Sequence, residues 1–126
     1  MIDHLELSIS DLPRSLAFFR ATLAPLGYAL HVDANPAGFG QSATTLDFWI
    51  KGGPEGHGGP ATPRPHFAFH CVKRALVDAA HQAALAAGGT DNGAPRLLPH
   101  IHASYYAGFV LDPDGHNVEM VCHAAE

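Results

Sequence analysis

The chain has 126 residues, 47% of them hydrophobic, a formal net charge of -5 and only 7 Lys plus Arg. That length and apolar content suit one compact domain with a real core, and the scarcity of basic residues provides no electrostatic basis for binding nucleic acid or an anionic membrane. No apolar stretch approaches the roughly 20 residues of a membrane span, no signal-peptide pattern precedes the first strand, and two cysteines make no disulfide framework, so a cytoplasmic protein with buried free Cys71 and Cys122 is expected.

Residues His4 to Ile9 alternate with period two, placing Leu5, Leu7 and Ile9 on one face and His4, Glu6 and Ser8 on the other. Ser10 and Asp11 are N-cap residues by type, and Pro13 suits a first helical turn. Leu12, Leu16, Phe19 and Leu23 then form a helical stripe that Pro25 and Gly27 close. Strands are expected at Tyr28 to Val32, Gly38 to Gln41 and Thr44 to Ile50, which completes a βαβββ unit over residues 1–50. Residues 51–65 are dense in Gly and Pro and read as a linker or exposed hairpin carrying His57.

A second unit occupies residues 66–126. His66, Ala68 and His70 share a face opposite Phe67, Phe69 and Cys71. An Ala-rich helix from Ala75 to Ala87 follows without a Ser or Asp cap and stops at Gly88-Gly89. Residues 91–102 read as a Pro- and His-containing excursion. Strands are expected at about 103–111 and 116–122, joined by the turn Asp112-Pro113-Asp114-Gly115.

The two units align without a gap at an offset of 62 residues, which lays His4 on His66 and Gly27 on Gly89. Each ends in a strand bearing an acid, Asp47 in the first and Glu119 in the second. Histidine is abundant, with 10 in the chain. Two similar halves that each bring a His and a carboxylate can build a shared metal site where they meet.

These features together resemble the vicinal oxygen chelate superfamily, the glyoxalase/bleomycin-resistance/dioxygenase group. The resemblance rests on Ile2 to Asp11 with its helix, on His66-Phe67-Ala68-Phe69, and on Phe109 to Glu119 with its Asp-Pro-Asp-Gly turn. It spans essentially the whole chain. It implies an α+β fold in which two tandem βαβββ modules form a curled, partly open mixed β-sheet barrel with helices outside. It also implies a divalent metal (Zn, Mn, Ni, Co or Fe) held by His4, His66 and Glu119, with Asp47 where some members place a fourth ligand. Two imidazoles and a carboxylate suit such ions and leave positions open for substrate oxygens.

Around that centre the inward parity selects further residues. Glu6 and His70 share the face of His4 and His66; Trp49 forms an apolar wall. Tyr105 shares parity with Ala107 and Phe109, the set that the resemblance places toward the cavity, with Tyr106 on the helix side; a bulge would exchange the two tyrosines. His100 and His102 lie at the cavity mouth, and Arg96 and Arg64 are candidate anion anchors. Glu119, Glu6 and Tyr105 are thus the candidate catalytic residues, and Asp47, Trp49, His70, His100, His102 and Tyr105 the candidate pocket. The resemblance implies a metal-dependent enzyme with lyase/isomerase chemistry through a metal-chelated oxyanion, acting on a small molecule. The alternatives are a metal-free drug- or metabolite-binding protein and a thiol transferase or dioxygenase of the same superfamily. A homodimer with shared sites is expected, although the linker permits the modules to pair within one chain.

Overall fold

The computed structural model describes residues 2–53 and 65–125, so His57, Arg64 and most of the expected linker lie outside the described residues. The first module runs β1 (Leu5–Ser8), α1 (Leu12–Leu23), a 3₁₀ turn (Ala24–Leu26), β2 (Ala29–Val32), β3 (Ala37–Ser42) and β4 (Thr45–Lys51). The second runs β5 (His66–His70), α2 (Arg74–Ala86), β6 (Thr90–Leu97), β7 (Tyr106–Leu111) and β8 (Asn117–Cys122). Each module is a βαβββ unit with its own four-stranded mixed sheet, ordered β1-β4-β3-β2 and β5-β8-β7-β6. In both, the outer strand of the parallel pair is the first of the module: β1 lies parallel to β4, and β5 parallel to β8. The fold is α+β, and its two sheets remain separate.

Local chemistry accounts for the helix ends. The Asp11 carboxylate caps α1 by accepting from the Arg14 N–H, and the 3₁₀ turn ends at Gly27, whose φ of 78° favours glycine. The helix α2 starts at Lys73 with no side-chain cap, in keeping with its sequence.

One stretch differs from the sequence reading. The expected excursion at 91–102 is mostly strand: β6 occupies Thr90–Leu97 and pairs antiparallel with β7, leaving a loop of residues 98–105. Pro95 is accommodated because β6 is an edge strand, and irregular register around Gly93 absorbs the break in pattern. Tyr105 therefore sits in the loop immediately before β7.

The apolar faces of both sheets share one core with the helices. Phe18 and Phe19 of α1, Phe39 and Phe48 of the first sheet, and Val110, Val118 and Met120 of the second are fully or almost fully buried. The rings of Phe19 and Phe48 lie 4.9 Å apart, and Phe48 in turn meets Phe69 of β5 at 5.2 Å. The two helices also touch each other. Burying these aromatic side chains contributes about 1.5–3 kcal/mol each before the entropy of ordering is deducted. Period-two alternation then leaves His4, Glu6 and Ser8 of the first module, and His66, Ala68 and His70 of the second, on exposed opposite faces.

Candidate functional site

The face of the second module carries the better-formed half of the site. Parallel pairing sets Ala68 beside Glu119 and His66 beside Asn117. The Nδ1–H of His66 donates to the Asn117 carbonyl at 3.2 Å, which leaves Nε2 with a free lone pair in the neutral ring. That Nε2 stands 3.0 Å from Oε2 of Glu119, whose side chain is only 5% exposed. Two acceptor atoms facing at this separation need a cation shared by them or a proton on one of them. The other Glu119 oxygen, Oε1, accepts from the Tyr105 hydroxyl at 2.6 Å. This hydrogen bond, burial and the carboxylate charge together push the Tyr105 hydroxyl up to about 12. Phe109, directly across from Glu119 in the β7–β8 register, lies 6.3 Å from the His66 ring.

The first module presents the other half. His4 precedes β1 and is exposed, with Nδ1 2.7 Å from Oδ1 of Asp3. Asp47 in β4 accepts from the Tyr28 hydroxyl at 2.6 Å, and burial together with this carboxylate raises Tyr28 to about 12. Glu6, Trp49, His4 and Pro36 line a hollow of about 370 Å³. A second hollow of about 260 Å³ lies where the modules meet, between His4, Asp47 and Tyr28 on one side and Phe67, Phe69 and His70 on the other.

The candidate ligands are brought together only in part. His66 and Glu119 meet, but His4 does not join them: among the described residues, Asp112, Asp114 and His116 alone place three ligating groups within 4.8 Å of one another. That buried trio is a braced turn. Asp112 Oδ1 accepts from the Asp114 and His116 backbone N–H groups, Oδ2 from His116 Nδ1 at 2.7 Å, and Asp114 from Ser10. Its carboxylates already have donors, which leaves little room for a cation.

The remaining candidates spread around Tyr105. His102 and His123 hold each other through ring nitrogens 2.8 Å apart, and the His70 ring lies parallel to that of His123 at 6.0 Å. His100 is exposed in the β6–β7 loop. The Arg96 guanidinium lies over Phe109 and donates to the Ala94 carbonyl. Tyr106 turns to the opposite face, where its hydroxyl donates to Asp78 of α2 at 2.7 Å. Sequence reasoning missed His123, although the alternation through Glu119 and Val121 points to it two residues beyond Val121.

A family model described as the Glyoxalase/Bleomycin resistance protein/Dioxygenase superfamily matches residues 1–120. The chain belongs to this superfamily. Superfamily members commonly bind divalent metals. The glyoxalase-type fold is also that of solved structures with little sequence identity. A glyoxalase/bleomycin resistance protein from Albidiferax ferrireducens T118 superimposes with a TM-score of 0.80 at 22% identity, covering 97% of this chain and 98% of that one. A glyoxalase/bleomycin resistance protein/dioxygenase family enzyme from Burkholderia phytofirmans PsJN gives 0.70 at 15%, covering 98% of each chain. TioX from Micromonospora sp. ML1 gives 0.67 at 14%, covering 98% of this chain and 99% of that one. A comparison with curated proteins found no match. No helix among the described residues is long and apolar enough to cross a membrane.

Proposed function

We propose that this superfamily member is a divalent-metal-dependent enzyme acting on a small oxygen-bearing molecule by lyase/isomerase chemistry. The observation that carries this reading is the meeting of His66 Nε2 with Glu119 Oε2 at 3.0 Å while Asn117 accepts from the other ring nitrogen. A histidine whose second nitrogen is held by a carbonyl is oriented as metal ligands are, and the buried carboxylate beside it supplies the matching charge. His66 and Glu119 would hold the metal, with His4 completing the set. When bound, the metal supplies Lewis-acid polarisation of substrate oxygens.

The chain's own groups define the remaining roles. Tyr105 holds one oxygen of Glu119 and so leaves the other directed at His66. Glu6 is exposed beside His4 and is placed to accept a proton from a substrate seated against Trp49. Its location on the first module makes it the proton carrier in this reading.

Because His4 stands apart from His66 and Glu119 within one chain, the complete set comes from two copies: His4 of one and the His66–Glu119 pair of the other. The exposure of both histidine side chains, His4 and His66, supports this homodimer. Mixing His4→Ala chains with Glu119→Ala chains tests it. Metal-free variants that regain about a quarter of the wild-type metal content on equimolar mixing are expected, because about half of the reassorted dimers are mixed and one of the two junctions in each of these carries all wild-type ligands. No regain would overturn the shared site. Tag-free wild-type protein that takes up no Mn, Fe, Co, Ni or Zn would overturn the metal.

A second reading has its own support. With His66 protonated, the pair with Glu119 is satisfied internally, and Trp49 and Phe109 remain as apolar walls for a planar ligand. A metal-free binding protein of that kind would lose ligand on Trp49→Ala but keep it on His66→Gln.

A further inference from the structure

We infer that His102 and His123 form a hydrogen-bonded imidazole wall that positions Tyr105 on Glu119, so that both are positioning residues for the site. The inference rests on the reading of Glu119 as a metal ligand for its functional meaning, but not for its structural content.

Register makes Tyr105 an unusual partner for Glu119. Tyr106 is opposite Cys122 and Phe109 is opposite Glu119, so Tyr105 lies four residues along the sheet from the carboxylate it bonds. At about 3.3 Å per residue that is roughly 13 Å of strand, farther than a tyrosine standing upright on a sheet can reach. The side chain must lie along the sheet toward Glu119. Between them Ala107, paired with Val121, is small and buried, and presents little bulk in the way.

A ring laid along a sheet at the end of a loop needs something to hold it there. His102 and His123 both meet the Tyr105 ring edge to face, at 5.4 and 5.2 Å and with interplanar angles of 81° in each case. These two imidazoles are themselves joined. The Ser104 N–H donates to His102 Nδ1 at 3.1 Å, so the neutral ring carries its proton on Nε2 and donates it to His123 Nδ1 at 2.8 Å. Their centroids are 5.1 Å apart and their planes within 22°. The centroid separation exceeds the nitrogen separation by close to two ring radii, so the rings point at each other end to end. That geometry suits an N–H···N hydrogen bond. It does not suit two lone pairs converging on a metal, which would meet at an angle.

The chain of contacts runs from the Ser104 backbone through two imidazoles to the tyrosine and then to the carboxylate. His123, which follows β8, anchors one end; His102, in the β6–β7 loop, anchors the other. Both are exposed, so neither is needed for the core. The Nδ1 acceptor of His123 is the group that matters, and asparagine presents an oxygen in a similar place.

The test uses the full chain free of metal and reads the Glu119 carboxyl carbon resonance by nuclear magnetic resonance. Tyr105→Phe removes the hydrogen bond and sets the full displacement. His123→Ala and His102→Ala are each expected to produce most of it, Tyr105→Phe/His123→Ala no more than Tyr105→Phe alone, and His123→Asn little of it. Imidazole nitrogen shifts should show His102 protonated on Nε2 and bare on Nδ1. A Glu119 resonance unmoved by either alanine, or an additive double variant, would overturn the wall. Zinc titration of the same proteins then reads function, with a loss of about tenfold in affinity expected for His123→Ala and Tyr105→Phe alike. Wild-type protein that binds none of Mn, Fe, Co, Ni or Zn would defeat the metal reading while the carbon resonance still decides the wall.

Discussion

Asp114, in the turn before β8, accepts hydrogen bonds from both the backbone N–H and the hydroxyl of Ser10, a residue of the other module. The Arg14 guanidinium stands 3.9 Å from the same carboxylate, whose side chain is almost fully buried. One acid thus ties the start of α1 to the hairpin that delivers Glu119. Removing it strands the half-buried Ser10 donors, and hydrogen bonds to a charged group contribute about 1.5–3 kcal/mol each. Asp114→Ala should therefore lower stability by about 2–4 kcal/mol in urea unfolding, and Ser10→Ala by about 1–2 kcal/mol. A change within about 0.5 kcal/mol for Asp114→Ala, the range of an ordinary surface substitution, would show that this tie contributes nothing.

The tyrosines give a pH signature. The chain has three, and all three hydroxyls donate to carboxylates: Tyr28 to Asp47, Tyr105 to Glu119 and Tyr106 to Asp78. Tyr28 and Tyr105 are held up at about 12, and Tyr106 is raised by its bond to Asp78. Because the folded chain keeps these protons longer than the unfolded chain, whose tyrosines lose theirs near pH 10, the stabilisation is complete below about pH 10. It is lost as pH rises through about 12. Tyrosinate absorbance of the native protein should show no tyrosine ionising at the ordinary value, and denaturant should restore all three to it. A native component near pH 10 would contradict these contacts.

Cys71 is free, buried and pushed up to about 12, chiefly by burial and then by the neighbouring Cys122. Only the thiolate attacks a disulfide reagent. Modification of Cys71 in native protein at pH 8 should therefore proceed no faster than the structure opens, and denaturant should accelerate it by several orders of magnitude. A rapid native phase assigned to Cys71 by peptide mapping would refute this.

The wall formed by Trp49 depends on a missing side chain. Gly38 is opposite Trp49 in the β3–β4 register, and a Cβ on Gly38 would lie 2.8 Å from two carbons of the indole. Gly38→Ala is expected to displace the ring, shift the emission of the single tryptophan and lower stability by about 1–3 kcal/mol. Unchanged emission and stability would mean that the indole moves aside freely.

Much of this architecture is legible in the sequence because period-two alternation decides which residues share a face. The shared face of His66 and Glu119 follows from parity once β5 and β8 lie side by side, and parity sets Tyr105 and Tyr106 on opposite faces, the resemblance deciding which of them meets α2. The strand β6 was hidden because Gly93 and Pro95 interrupt its pattern and its edge position leaves most of its residues exposed without alternation. The bond from Ser10 to Asp114 connects two loops that no local signal relates. The aligned glycines mislead in a different way. Gly27 adopts the positive φ that closes the first helical segment, whereas in the second module Gly88 has the positive φ and Gly89 is held by close packing. The offset of 62 residues therefore preserves the letter while the role moves by one position.

That packing at Gly89 has a consequence for how the two halves are spaced. A Cβ there would come within 2.7 Å of Phe18 in α1 and 2.5 Å of Val110 in β7, so this glycine is the shim between the first helix and the second sheet. His4 is carried by the body on one side of the shim, and His66 and Glu119 by the body on the other. Thickening it by a single methyl would tilt one body against the other while leaving each strand's own hydrogen bonds in place. The width of the hollow between His4 and His70, where the two modules of one chain meet, is thereby set from the apolar interior, at a position that bears no polar atom of its own beyond the backbone.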